Sequence, residues 1–179
     1  MPADRNRGIP TKMSTERPQH DDSISAQGLR IAVVVSKYNT EVTGALLDGA
    51  RSAFAALGGA DGDLTVLHVP GAFELPVVAG ACVRSRLYDG VVALGCLIKG
   101  ETVHDRVIAD ATAHALSSIS ATSGIPVGFG LLTTDNQAQA LARAGGDKGN
   151  KGEDAMRACI ETHGALGAIR PSGGFGFNC

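Results

Sequence analysis

From residue 31 onward the chain alternates two kinds of hydrophobic pattern. Residues 31–35, Ile-Ala-Val-Val-Val, form a continuous apolar and largely β-branched run, which predicts a strand buried on both faces. Val42, Leu46, Ala50, Ala53 and Leu57 then recur at helical spacing, and Gly58-Gly59 marks the stop. Residues 64–69 predict a second strand. Leu75, Val78, Cys82 and Leu87 predict a second helix, with Pro76 admissible in its first turn. Residues 90–95 predict a third strand. Val107, Ile108, Ala111, Ala115 and Ile119 mark a long third helix, ended by Gly124 and Pro126. Residues 127–132 predict a fourth strand, and two closing helices are expected near 136–144 and 152–165.

Strands alternating with helices through short links imply parallel pairing and right-handed crossovers. The expected fold is α/β: a three-layer α/β/α sandwich around a four-stranded, largely parallel sheet. Residues 29–167 read as one domain. Residues 1–28 carry mixed charge and no periodicity and read as a flexible extension; residues 168–179, rich in Gly and Ser, read as a flexible tail. In sheets of this type ligands bind beyond the carboxyl ends of the strands, so the segments that follow each strand should carry the chemistry.

Composition narrows the field. Sixteen Lys and Arg against eighteen Asp and Glu give a formal charge of -2, which disfavours a nucleic-acid binder that works through bulk positive charge. No apolar run approaches the roughly 18 residues of a bilayer span, and the acids near the N-terminus disfavour an organelle transit peptide. Neither a membrane nor a nucleic-acid partner is expected. Cys82, Cys96, Cys159 and Cys179 show no CxxC or zinc-ribbon spacing, so a cytoplasmic protein with no metal is expected. GxGxxG after the first strand, a P-loop and a GxSxG elbow are all missing.

The strand-end segments offer specific groups. Tyr38 is a ring that can stack on a flat heterocycle, and Asn39 is either a substrate-facing amide or a plain N-cap. Phe73 and Glu74 follow the Pro70-Gly71 turn. Glu74 can accept hydrogen bonds from a polyol, or it is a solvated acid in a first helical turn. Gly100-Glu101-Thr102 lies between a strand and a helix, where backbone N–H groups can face an anion, with His104 one turn away. The bland alternative there is an N-capped helix with a surface histidine. Residues 143–152 are Gly-rich and basic; Arg143 can clamp a phosphate, or the segment is a flexible turn between helices.

Four motifs in collinear order carry a family resemblance: Pro70-Gly71-Ala72-Phe73-Glu74-Leu75-Pro76, residues 94–104 (Leu-Gly-Cys-Leu-Ile-Lys-Gly-Glu-Thr-Val-His), residues 129–135 (Phe-Gly-Leu-Leu-Thr-Thr-Asp), and Arg143-Ala144-Gly145 with Gly149-Asn150-Lys151-Gly152. Over about residues 28–167 the chain resembles the 6,7-dimethyl-8-ribityllumazine synthases of riboflavin biosynthesis. The resemblance implies a flavodoxin-like fold and a transferase reaction. In it, 5-amino-6-(D-ribitylamino)uracil condenses with 3,4-dihydroxy-2-butanone 4-phosphate, releasing phosphate and water without cofactor or metal.

The resemblance also implies roles. His104 matches the proton-transfer residue. Tyr38, with Asn39 beside it, matches the aromatic that stacks on the pyrimidine. Ala72, Phe73 and Glu74 match the ribityl-binding segment, and Cys96, Leu97 and Ile98 the strand end along the pyrimidine. Gly100, Glu101 and Thr102 match the phosphate nest, and Arg143 the phosphate-binding arginine. Phe129 matches a residue that closes the site from a neighbouring subunit, and Lys151 a lysine at the ribityl end. The family implies a homopentamer with shared sites, in some members a shell of twelve pentamers, and riboflavin synthase as a candidate partner. Three positions depart from the family pattern. Asp105-Arg106 stands where an aromatic residue, often followed by an acid, is usual; Asp147 stands where many members carry lysine; Lys99 replaces the commoner arginine. Asp105 either contacts His104 or faces water. Rival readings are a non-catalytic flavin- or lumazine-binding or shell-forming homologue, and a monomeric FMN-binding flavodoxin-like domain.

Overall fold

The computed structural model describes residues 24–169. The expected extension and tail lie outside it, apart from residues 24–28 and 168–169. The part of the extension that is described packs: Ala26 is fully buried, and its amide donates to the Leu57 carbonyl at 2.8 Å.

The element order is β1 (Ile31–Ser36), α1 (Thr40–Ala56), β2 (Leu64–Val69), α2 (Leu75–Ser85), β3 (Gly90–Ile98), α3 (His104–Ser123), β4 (Val127–Thr134), α4 (Gln137–Ala142), β5 (Ala144–Gly146), β6 (Gly149–Asn150) and α5 (Lys151–Ile169). The main sheet has the order β2-β1-β3-β4 and is parallel throughout. Side chains alternate along the strands between two cores. Val33, Val35, Val92 and Leu94 join Leu46, Phe54, Met156 and Ile160 of α1 and α5, while Ala32, Val34, Val91 and Ala93 join Leu75, Val83 and Leu116 of α2 and α3. This double burial accounts for the continuous apolar runs in the sequence.

Most element ends differ from expectation by one to a few residues, β4 for instance running to Thr134, and three differences bear on the site. β3 runs on to Ile98 because β4 continues beside it, pairing Cys96 with Leu132 and Ile98 with Thr134. The residues expected in the loop after this strand, Cys96, Leu97 and Ile98, are therefore its last rungs. α2 stops at Ser85, before Leu87, where Arg86 takes a left-handed conformation (φ 58°) as the C-cap. The Gly-rich segment, expected as a flexible turn, is an antiparallel hairpin of β5 and β6. It is held by Lys148 N–H to Ala142 O and Lys151 N–H to Arg143 O, each 2.8 Å. Gly145 (φ 117°) and Gly149 (φ 78°) supply backbone angles that other residues rarely adopt.

That hairpin delivers Asn150 to the start of α5. Its Oδ1 accepts from the Gly152 and Glu153 amides at 2.8 and 3.2 Å, and its Nδ2 donates to Ala45 O of α1 at 2.8 Å. One side chain thus caps α5, a contribution of typically about 1 kcal/mol, and ties it to α1. Two glycines permit the approach: a Cβ at Gly49 would collide with the Asn150 amide, and one at Gly152 with the Leu46 carbonyl. Gly152→Ala should therefore lower the unfolding free energy by about 1–3 kcal/mol. A urea titration checks this; a loss under about 0.5 kcal/mol would show that the two helices separate freely.

Candidate functional site

The sheet order reverses direction between β1 and β3, so the chain leaves their carboxyl ends on opposite faces and opens a crevice there. A cleft of about 670 Å³ occupies it, lined by Tyr38, Asn39, Gly71, Ala72, Phe73, Glu74, Cys96, Leu97, Ile98, Gly100, Thr102, His104, Asp105, Val107 and Ile108. Most of the residues expected at the site meet here. Tyr38 and Phe73 are 72% and 62% exposed, large rings with one face uncovered.

Local bonds fix the walls. Asn39 takes the left-handed conformation (φ 56°, ψ 53°) before α1 and makes no side-chain cap. Its Nδ2 instead donates to Cys96 O at 2.9 Å, joining the loop after β1 to the end of β3 across the crevice. Glu74 Oε2 accepts from the Gly71 amide at 2.9 Å and closes the turn that presents Phe73. Thr112, fully buried on α3, donates its hydroxyl to Ala72 O at 3.3 Å and anchors the same turn from the other side. Val103, at the N-cap of α3, supplies no capping side chain, and the His104 amide reaches only Thr102 Oγ1 at 3.4 Å. The first turn of α3 thereby keeps donor groups and the positive end of its dipole for an anion. The side chains of His104 and Asp105 make no ion pair with each other.

The other expected residues lie elsewhere. Glu101 is exposed on the loop before α3 and does not line the cleft. Phe129, 49% exposed on β4, lines a separate cleft of about 480 Å³ with Lys151 and Asp154. Lys151 Nζ lies 2.7 Å from Asp154 Oδ2. Arg143 caps α4, donates from Nη1 to Gln139 O at 2.9 Å, and is linked to Lys151 through the hairpin backbone. Phe129, Arg143 and Lys151 thus form a second group, outside the cleft that holds His104. Gly71, Asp105, Val107 and Ile108 line the cleft without having been proposed for it. The α3 residues among them lie on the helix expected to start beside His104, but only the structure places them on the cleft. A third cleft of about 500 Å³, lined by Arg84, Arg86, Tyr88 and His163 among others, sits at the opposite pole, beside the C-termini of α2 and α3. Those helix ends favour cations, and none of the expected residues is there.

Residues 28–166 match the family model described as 6,7-dimethyl-8-ribityllumazine synthase. The chain is 45% identical over 150 residues to a curated 6,7-dimethyl-8-ribityllumazine synthase of Kineococcus radiotolerans, covering 83% of this chain and 91% of that protein. It is 42% identical over 142 residues to the one of Nitratidesulfovibrio vulgaris, covering 79% and 91%. The chain belongs to the 6,7-dimethyl-8-ribityllumazine synthase family. Lumazine synthase activity, a transfer reaction in riboflavin biosynthesis, comes with that membership. Among the described residues no helix is long and apolar enough to cross a membrane.

The described cysteines, Cys82, Cys96 and Cys159, are poor nucleophiles, each with its thiol pKa raised by burial. Burial pushes the Cys96 thiol, at the edge of the cleft, up to about 11, and the Cys159 thiol up to about 12, from an ordinary 9.0. Cys159 Sγ also donates to Val91 O and Pro126 O at 3.6 and 3.7 Å. Because the folded values lie above the unfolded one, the thiols' contribution to stability is complete below pH 9 and is lost as pH rises toward 11–12. Urea midpoints should therefore fall from pH 9 upward, and Cys159→Ala should make that fall shallower; parallel curves for the two proteins would contradict the assignment.

Proposed function

We propose that this chain condenses 5-amino-6-(D-ribitylamino)uracil with 3,4-dihydroxy-2-butanone 4-phosphate in a cleft shared between neighbouring copies. The observation that carries this reading is the meeting of three strand-end segments, those of β1, β2 and β3, on one cleft, with a histidine at its rim. Tyr38 stacks on the pyrimidine and Asn39 holds that wall in place. The backbone of Cys96, Leu97 and Ile98 reads the ring's edge, while Ala72, Phe73 and Glu74 receive the ribityl chain. The backbone amides of Gly100, Glu101 and Thr102, just before α3, receive the phosphate.

The nucleophile is the substrate's own amine, so no activated Ser or Cys is required. Orientation, phosphate stabilisation and proton transfer are the protein's share. His104 gives and takes the protons of carbinolamine dehydration and phosphate loss, a role worth about 10²–10⁴ in rate. Phe129, Arg143 and Lys151 complete the site from the next copy: Arg143 on the phosphate, Phe129 over the pyrimidine, Lys151 near the ribityl end. Their separation from the His104 cleft within one chain supports a homo-oligomer, which we take to be the family's pentamer, alone or as twelve in a shell. The three described cysteines are free and buried, in keeping with a cytoplasmic setting.

Shared sites make a sharp test. His104→Ala should slow turnover with little change in pyrimidine binding, and Arg143→Ala should weaken the phosphorylated substrate more than the pyrimidine. Co-assembled one to one, the two impaired variants should recover about a quarter of full activity, since each site draws its halves independently from two copies. Absence of recovery in mixed oligomers, or a monomer by light scattering, would remove the shared cleft.

A further inference from the structure

Helix α3 has two distinct sides. Ile108, Thr112, Leu116 and Ile119 form its inward stripe, with Thr112 and Leu116 buried and the other two packed on the core. Residue 105 continues that stripe one turn toward the N-terminus, at the spacing i, i+3, i+7. His104 and Val107 lie on the exposed side. The stripe therefore ends on a half-buried carboxylate where its period calls for an apolar side chain. Asp105 lines the main cleft beside the apolar walls of Ile98 and Ile108. Among the described residues its carboxylate has no ion pair and no hydrogen-bond partner.

We propose that Asp105 is a substrate-contacting, specificity-determining residue: its carboxylate accepts hydrogen bonds from the N–H and O–H donors of the ribitylaminouracil. The proposal rests on the reading of this cleft as the lumazine synthase site. An ionised carboxylate accepts and does not donate. Set against an apolar wall, it needs donors, and no side chain of the described residues supplies one. The amine and polyol of the pyrimidine substrate are rich in donors. The phosphate of the other substrate has only acceptor oxygens and a like charge, which a carboxylate repels. Asp105 thereby separates the two substrates along the cleft, holding the amine and polyol on its own side of α3 and leaving the phosphate to residues 100–102.

The test uses the purified oligomer, with separate readouts for the two ligand chemistries. For Asp105→Asn, nearly isosteric but uncharged, the KM of the ribitylaminouracil and the Kd of the lumazine product, read by fluorescence, should rise about tenfold. The Kd of inorganic phosphate should stay constant or tighten. Asp105→Glu should recover part of the pyrimidine affinity, which loss of packing alone would not allow. An unchanged KM for the ribitylaminouracil, or equal weakening of pyrimidine and phosphate, overturns the proposal. Should the unaltered protein form no lumazine from the two substrates, it is the reading of activity that fails. The lumazine and phosphate affinities of Asp105→Asn then still decide the role of Asp105.

Discussion

A sheet covered by helices on both faces can present a ligand only with what protrudes from its ends and edges. In this chain that constraint is strict, because β1 and most of β3 are buried on both sides. The two ends are also electrically different. At the carboxyl ends of the strands, helices begin, and α3 begins without a capping side chain. At the opposite pole α2 and α3 end, next to Arg84 and Arg86. A phosphorylated ligand is drawn to the first pole and a cation to the second. The placement of His104, Thr102 and Gly100 beside the mouth of the crevice follows from which way the strands run.

The crevice keeps its shape through few bonds, three of which reach across chain segments far apart in sequence. Asn39 to Cys96 O spans the reversal between β1 and β3, and Thr112 to Ala72 O fixes the turn that carries Phe73 and Glu74. Asn150 locks α5 to α1 and so determines where the β5–β6 hairpin, with Arg143 and Lys151 on it, emerges. Each is a bond between a side chain and a backbone carbonyl, worth about 1 kcal/mol in net stability. Their larger effect is positional: each removes freedom from a loop that must hold a ring or an anion to within a fraction of an ångström.

Most of the framework could be read from periodicity. The apolar runs at residues 31–35 and 64–69 and the helical spacing after them correspond closely to β1, β2 and α1, because complete burial leaves a plain hydrophobic signature. What stayed hidden depended on partners distant in sequence. β3 extends through Cys96–Ile98 only because β4 lies beside it, and nothing local marks that. The hairpin at residues 144–150 was masked by its glycines, which read as flexibility although here they supply particular backbone angles. Asn150 looked like one polar residue in a basic turn; its bond to Ala45 lies 105 positions away in sequence. At the site, the residue types were legible but their grouping was not. Tyr38, Phe73, Glu74 and His104 share a cleft, while Phe129 and Lys151 share another.

That division bears on the chemistry. The main cleft has aromatic faces, backbone edges, an imidazole and an unpaired carboxylate, but among the described residues no lysine or arginine lines it. A sugar phosphate carries charge that helix N–H groups alone hold weakly in an open, wet site. The cations that could finish the task, Arg143 and Lys151, do not line the main cleft; Arg143 bonds the Gln139 carbonyl and Lys151 pairs with Asp154. Refolding a loop to bring them in would break the hairpin and release α5 from α1. Presenting them to a second copy breaks nothing. In the shared cleft we propose, it would also cover Phe129 and bring a guanidinium to a phosphate without a moving part. Since the reacting amine arrives with the substrate and the Cys96 thiol stays protonated, the chemistry then turns on where the imidazole, the guanidinium and the carboxylate stand relative to one another. In the proposed shared site, two rigid surfaces meeting would set those positions.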